Sequence, residues 1–267
     1  MSGRGAAFAA RYGPWAVVAG ASVGLGEAFA TDLARRGLHL LLVARRPEPL
    51  QTLAARLSAA HGVQVRALPL DLGLPGAGRA VEEAAADLDV GLLVCNAALS
   101  LIGPFLEQPL EAHLTEIDVN CRAPLELCHR LGRRLAARGR GGIVLMSSLG
   151  ATMGSALIAN YAATKAYNLV LAEGLWEELR PFGVAVLACA AGAVRTPGYV
   201  ASAPGQPQAT LEPDAVVAET LRSLGRSPHV VPGRANRVAA FALRRLLPRA
   251  AAIRLMGAVM RRLYGGP

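Results

Sequence analysis

Lysine is almost missing from this chain. Of its 28 basic residues only Lys165 is not an arginine. Arginine stays charged and presents a wide planar fork, whereas lysine is a compact ammonium that can release a proton. A sequence that keeps one lysine among so many arginines marks position 165 for chemistry. Aromatic residues are scarce at 4%, and charged residues reach only 18% against 53% hydrophobic. That balance excludes an extended disordered chain. No apolar run reaches the roughly 18 residues of a membrane-spanning helix, because Arg, Gly or Pro interrupts each stretch. The opening MSGRGAAFAARYGPW also lacks the unbroken apolar core of a secretory signal, so a cytoplasmic protein is expected. The four cysteines, Cys95, Cys121, Cys128 and Cys189, form no CxxC and no metal-ligand spacing. They read as buried reduced thiols, and no metal site is expected.

Acid is absent from the end of the chain. From Thr220 onward there are ten arginines and no carboxylate, while the residues before it hold 18 basic and 19 acidic groups. The formal charge of +9 therefore belongs to the last fifth of the sequence, and the body is neutral.

At 267 residues the chain can form one domain with a full core. Apolar strands are predicted at 15–20, 38–44, 63–70, 90–95, 142–146, 184–190 and 229–231. Helices are predicted between them at 24–36, 47–61, 75–88, 110–138, 160–180 and 213–224. Buried strands alternating with helices mean an α/β fold, a parallel sheet covered on both faces. Residues 191–212, rich in Gly, Pro, Ala and Ser, read as a mobile loop. No linker interrupts the body. The expected organisation is one α/β domain over 1–231, followed by a basic helical extension over 232–267.

The first strand runs into Gly20-Ala-Ser22-Val23-Gly24-Leu25-Gly26. A glycine-rich turn between strand and helix lets the backbone approach a ligand and aims helix N–H groups at it, which suits a pyrophosphate. The second strand ends in Ala44-Arg45-Arg46, with no acid before Glu48. An acid at that place would hold the ribose 2′-hydroxyl of NAD; arginine accommodates the 2′-phosphate of NADP. NADP(H) is the expected cofactor. Tyr161 and Lys165 lie four apart on a predicted helix and share a face. A neighbouring cation is expected to lower the phenol pKa and make Tyr161 a general acid or base. Ser147 and Ser148 end the fifth strand at the carboxyl edge of the sheet, where ligands bind.

With these motifs in this order, the chain resembles the short-chain dehydrogenase/reductase family over about residues 14–231. The resemblance also rests on Asp71-Leu72 after the third strand, Cys95-Asn96-Ala97-Ala98 after the fourth, Asn120, and Ala191-Gly192-Ala193-Val194-Arg195-Thr196-Pro197. It implies a single Rossmann-like, doubly wound sheet and hydride transfer between a nicotinamide and a carbonyl or alcohol. It implies that Tyr161 moves the proton, Ser148 bonds the substrate oxygen, Lys165 holds the ribose hydroxyls, and Asn120 holds a relay water or kinks its helix. It places Asp71 at the adenine, Asn96 on the adenosine side and Thr196 at the carboxamide, and it counts Leu72, Ala97, Gly192 and Val194, with Tyr161 and Lys165, among the cofactor-binding residues. A turn role for Asp71 stays open, and Ser147 reads as a core hydroxyl. A homodimer or homotetramer is implied as well. The chain departs from the family pattern at Ala19, Cys95, Ala98 and Ala191, positions that support cofactor affinity and loop geometry.

The segments 97–106 and 149–160 hold no charge, and 193–212 holds only Arg195 and Glu212. A pocket without fixed charge favours a largely apolar ketone or aldehyde; steroid, fatty-acyl and xenobiotic carbonyls all fit. A non-catalytic dinucleotide-binding sensor or scaffold is the alternative. In the tail, helices are predicted at 241–247 and 249–264. Ile253, Met256, Met260 and Leu263 follow one face of the second, and Arg254, Arg261 and Arg262 avoid it. The tail can pack on the body or an oligomer partner, lie on an anionic membrane surface, or bind an acidic carrier. Nucleic acid is not expected, since no reading motif accompanies the arginines.

Overall fold

The computed structural model describes residues 3–202 and 210–265. Seven strands form one all-parallel sheet: β1 (Trp15–Ala19), β2 (His39–Ala44), β3 (Val65–Pro69), β4 (Val90–Cys95), β5 (Gly141–Ser148), β6 (Val184–Ala191) and β7 (His229–Val230). Their spatial order is β3-β2-β1-β4-β5-β6-β7. The chain winds outward one way from β1 to β3, then returns to lay β4 on the other side of β1. The strand order therefore reverses between β1 and β4, and a crevice opens at their carboxyl ends.

Alternate residues of each strand feed two core layers. Ala16, Val18, Leu40 and Leu42 face one layer, with Phe29 and Leu33 of α2 (Leu25–Arg35), Leu50 and Leu57 of α3 (Pro47–His61), and Val217 of α9 (Pro213–Ser223). Val17, Ala19, Leu41 and Val43 face the other, with Val81 of α4 (Ala77–Ala84), Leu127 and Leu131 of α6 (Ala123–Arg138), and Ala172 of α7 (Ala159–Glu178). With both faces covered, the strands can be nearly continuous apolar runs.

The structure corrects the sequence reading in several places. The long helix expected over 110–138 is two helices, α5 (Leu110–Ile117) and α6, joined by a π-helical turn at Asp118–Arg122. Such a turn bends the helix axis around a functional position. A helix over Gly3–Tyr12, α1, was not expected; its Phe8 and Tyr12 pack against the first core layer. The loop expected over 191–212 contains a short helix, α8 (Pro197–Ser202), where Pro197 pre-sets the first helical φ and Thr196 Oγ1 accepts from Tyr199 N at 3.3 Å. Residues 203–209 of that loop lie outside the described residues. In the tail, α10 spans Arg234–Arg245 rather than 241–247, and α11 spans Arg249–Tyr264 as expected. Pro248 separates them. The stripe on α11 is also shifted: Met256, Met260 and Leu263 turn toward the body, but Ile253 stays exposed and Ala252 is buried in its place. Among the described residues no helix is long and apolar enough to cross a membrane.

Phe29 is fully buried in the first layer, so Phe29→Ala should lower stability by about 3–5 kcal/mol in a denaturant melt. Leu246, 67% exposed in the tail, should tolerate the same truncation within about 0.5 kcal/mol.

Candidate functional site

The crevice between β1 and β4 opens into a cleft of about 850 Å³ that runs along the carboxyl edge of the sheet. Its first wall is the turn after β1. Gly20 and Gly24 adopt positive φ, at 85° and 63°. A Cβ on Gly20 would come within 2.5 Å of the Ala97 backbone, and one on Gly26 would collide with the Gly20 carbonyl. A Cβ on Gly24 would meet Thr196 Cγ2 at 3.0 Å. The three glycines thus let the turn, the end of β4 and the N-terminus of α2 close on one another and present bare backbone. That cradle fits a pyrophosphate. Asn96 braces it: its Nδ2 donates to Gly20 O at 2.8 Å.

Gly20, Ser22, Val23, Gly24 and Leu25 all line the cleft, and Gly26 stands behind them as the contact that brings α2 close. Arg45 and Arg46, at the end of β2, also line it. Both are exposed, and neither has an ion-pair partner among the described residues. Asp71 and Leu72 line the same end, with Asp71 Oδ1 accepting from Gly73 N at 2.9 Å. The turn role and a cleft position coexist at Asp71. Asn96, Ala97, Gly192, Val194 and Thr196 line the cleft as well.

Tyr161, Ser148 and Lys165 meet in the middle. Ser148 and Tyr161 both line the cleft, and the Ser148 hydroxyl acts to lower the phenol pKa. Ser148 Oγ also accepts from Gly150 N at 3.2 Å, which leaves its own proton free to donate. Lys165 Nζ lies 5.6 Å from the centre of the Tyr161 ring and donates to Met146 O at 3.0 Å. Ser147 is the core hydroxyl expected, donating to Lys165 O at 2.8 Å. The expectation that the ammonium lowers the phenol pKa fails for the chain by itself. Burial pushes Tyr161 up to about 12, only partly offset by the Ser148 hydroxyl. Burial likewise brings Lys165 down to about 8. Desolvation of both groups outweighs their mutual attraction, because each charged form loses water on entering the cleft.

Asn120 is the one expected reacting-centre residue that does not line the cleft. It sits fully buried in the π-helical turn. Its Oδ1 accepts from Leu99 N and its Nδ2 donates to Leu99 O, each at 2.8 Å, and Nδ2 also reaches Thr164 Oγ1 at 3.0 Å. Its backbone carbonyl accepts from Asn168 Nδ2 at 2.9 Å. The kinked helix thus presents a side chain that locks the loop after β4. Glu116 does the same two residues on. Fully buried, it accepts from Leu101 N at 2.9 Å and from Asn160 Nδ2 at 2.6 Å. The sequence reading missed Glu116; an acid inside an otherwise amphipathic helix was the available signal.

The far end of the cleft is apolar. Leu99, Ile102, Leu149 and Ile158 form its walls, and Met256, Val259, Met260 and Leu263 of α11 form its roof. Arg195 and Glu212 pair with each other at 3.0 Å away from the cleft lining. Among the described residues, the charged groups lining the cleft are Arg45, Arg46, Asp71 and Lys165. The sequence reading found the α11 stripe and left open what it covers; its Met256, Met260 and Leu263 line the cleft.

A family model for short chain dehydrogenase matches residues 14–206. The 7beta-hydroxysteroid dehydrogenase of Collinsella aerofaciens is 32% identical over 233 residues, covering 85% of this chain and 89% of that one. A solved structure of a 7beta-hydroxysteroid dehydrogenase superposes with a TM-score of 0.88 at 30% identity, covering 93% of this chain and 98% of its own. A short-chain dehydrogenase from Sphingobium yanoikuyae in complex with NADPH superposes with a TM-score of 0.75 at 33% identity, covering 91% and 95%. A glycine cradle at the strand-order switch, a serine-tyrosine-lysine cluster beside it and these likenesses lead to one conclusion: the chain belongs to the short-chain dehydrogenase/reductase family, NAD(P)-dependent oxidoreductases that act on alcohol and carbonyl groups.

Proposed function

We propose that this chain is an NADPH-dependent reductase of largely apolar ketones or aldehydes, with Tyr161 as proton donor. The observation that carries the reading is the division of one cleft. Every charge on its lining lies on the cradle side or at Lys165, and the remainder is uncharged, largely hydrocarbon with a few neutral hydroxyls. An uncharged apolar carbonyl suits such a wall. The likeness to 7beta-hydroxysteroid dehydrogenases puts steroid-sized skeletons first, ahead of fatty-acyl and xenobiotic carbonyls. A non-catalytic sensor would have no use for Ser148 beside Tyr161.

The cofactor, when bound, supplies hydride to the carbonyl carbon. The phenol of Tyr161, kept protonated by burial, gives its proton to the carbonyl oxygen. The free Ser148 proton points that oxygen at the phenol and stabilises the charge developing on it. Lys165 holds the nicotinamide ribose hydroxyls, and its charge offsets the phenolate left behind. Gly192, Val194 and Thr196 hold the nicotinamide side, with Thr196 on the carboxamide. Asp71, Leu72, Asn96 and Ala97 hold the adenosine side, and Arg45 with Arg46 takes the 2′-phosphate. Asn120 acts as a positioning residue: it fixes Leu99, and its own carbonyl is held by Asn168. The apolar stripe of α11, seated over the cleft, favours a tail that packs on the body over one that lies on lipid. A second copy of the chain would cover Leu110, Leu114 and Val170, apolar side chains exposed on α5 and α7.

An NADPH-oxidation screen over a carbonyl panel tests the reading, with Tyr161→Phe as the blank. The wild type should consume at least one apolar ketone, and the variant should lose at least about 100-fold in kcat. Consumption at equal rates by both, or only of charged substrates, would overturn it.

The unpaired Arg45 should make NADPH bind at least ~10-fold tighter than NADH, about 1.4 kcal/mol. Arg45→Asp should abolish or reverse the preference in a fluorescence titration. Equal dissociation constants in the wild type would remove the assignment.

The lysine sets a pH limit. The phenol stays protonated to about 12, whereas Lys165 loses its proton near 8. The active form therefore has both groups protonated and declines as pH rises through the lower value. The kcat/KM for NADPH, which reports ionisations of the free chain, should be level near pH 7 and fall above about 8. Lys165→Arg should remove the break and reduce turnover by at least ~100-fold, because the fork is too wide for the site and does not deprotonate.

A further inference from the structure

The roof that α11 lays over the cleft is hydrocarbon until its last residue. Tyr264 ends the helix, lines the cleft and places a phenol there. Ser202, the last residue of α8, lines the cleft as well, and its hydroxyl works against the burial that raises the Tyr264 phenol pKa. Ser202 Oγ donates to Tyr199 O at 3.0 Å, which leaves its oxygen free to accept, while a phenol can both donate and accept. The two hydroxyls come from different elements, α11 and α8, and line one cleft. Tyr264 and Tyr161 line the same cleft.

A phenylalanine at 264 would supply the same ring to the roof, so packing alone does not call for the hydroxyl. A polar group in an apolar wall costs free energy unless it is bonded. The lower wall carries surplus polar capacity too. Ser155 is 4% exposed and lines the cleft, and its Oγ has no hydrogen-bond partner among the described residues. These hydroxyls are neutral and stand apart from Ser148 in sequence and in element. They suit a substrate oxygen other than the one that reacts.

We propose that the Tyr264–Ser202 pair is a second oxygen-recognition point in this cleft. The substrate is then an apolar skeleton that bears a neutral hydroxyl or carbonyl besides the carbonyl that is reduced. Tyr264 and Ser202 are specificity-determining residues, and α11 reads the substrate as well as covering it. The proposal rests on the reductase reading and deepens it.

The test uses the full chain with NADPH and matched pairs of ketones. Each pair is one skeleton without and with a second oxygen: a decalone and a hydroxydecalone, a steroid monoketone and the same ketone hydroxylated on the far ring, and a fatty methyl ketone and its terminal alcohol. The quantity read is the ratio of KM values within a pair, in which a general loss of activity or folded protein cancels. In the wild type at least one pair should show a preference of about tenfold for the oxygenated member. Tyr264→Phe, which keeps the ring, should bring that ratio close to one, and Ser202→Ala should lower it. A hydroxyl that only latches α11 to α8 would raise KM for both members equally; an unchanged ratio in Tyr264→Phe therefore overturns the proposal, as does the absence of any preference in the wild type. The same pairs are compared by the shift in Tm that they add to the NADPH complex. That second measurement needs no turnover. If no ketone is consumed but the oxygenated members still add more stability in the wild type than in Tyr264→Phe, the reductase reading fails and the recognition point stands. If ketones are consumed and the ratios do not respond to the variants, the recognition point fails alone.

Discussion

The site depends on how closely two strand ends can approach. β1 and β4 are neighbours in the sheet, and their following turns must pass over each other where the chain changes direction. Gly20 permits this because its missing side chain leaves room for the Ala97 backbone. Gly26 brings the start of α2 against the Gly20 carbonyl, and Asn96 bonds that same oxygen. A side chain at either glycine would push the turn outward and widen the crevice. The helix N-terminus, the loop after β4 and the cleft they border all take their positions from this contact.

Behind the cleft, buried polar groups do the holding. Asn120 satisfies both backbone groups of Leu99, and Glu116 takes the amide of Leu101. The loop that forms one substrate wall is thereby pinned at alternate residues from a kinked helix beneath it. A buried carboxylate without a cation is expensive unless donors surround it, and Glu116 has two. These bonds give rigidity to a segment with no regular structure of its own. In the reduction proposed above, rigidity at this place would keep a carbonyl within reach of Ser148 and Tyr161.

Desolvation gives the reacting groups their direction. Tyr161 is held protonated, and Lys165 holds its proton less tightly than a free lysine, through the same burial. A phenol that keeps its proton is prepared to donate, which is the need of carbonyl reduction. A weakly held ammonium beside it responds to any anion that enters, and phosphate-bearing ligands would strengthen its charge.

The alternation of apolar runs with helical periodicity already determined an all-parallel sheet, because only a sheet covered on both faces tolerates strands such as WAVVA and VGLLVC. The glycine spacing after β1 and the single lysine four residues past Tyr161 identified cradle and reacting pair, since both are local signals whose geometry follows from one turn or one helix. What depended on distant parts of the chain was not legible. The break of 110–138 into two helices answers to Asn120 meeting Leu99 and Asn168, residues 21 and 48 positions away. The pKa shifts answer to burial, which no spacing reveals. The stripe on α11 was visible as a period, but its occupant was not, because an amphipathic face states only that something apolar covers it. Tertiary packing decided that the tail roofs the cleft, set Tyr264 beside Ser202, and turned a basic extension into part of the site.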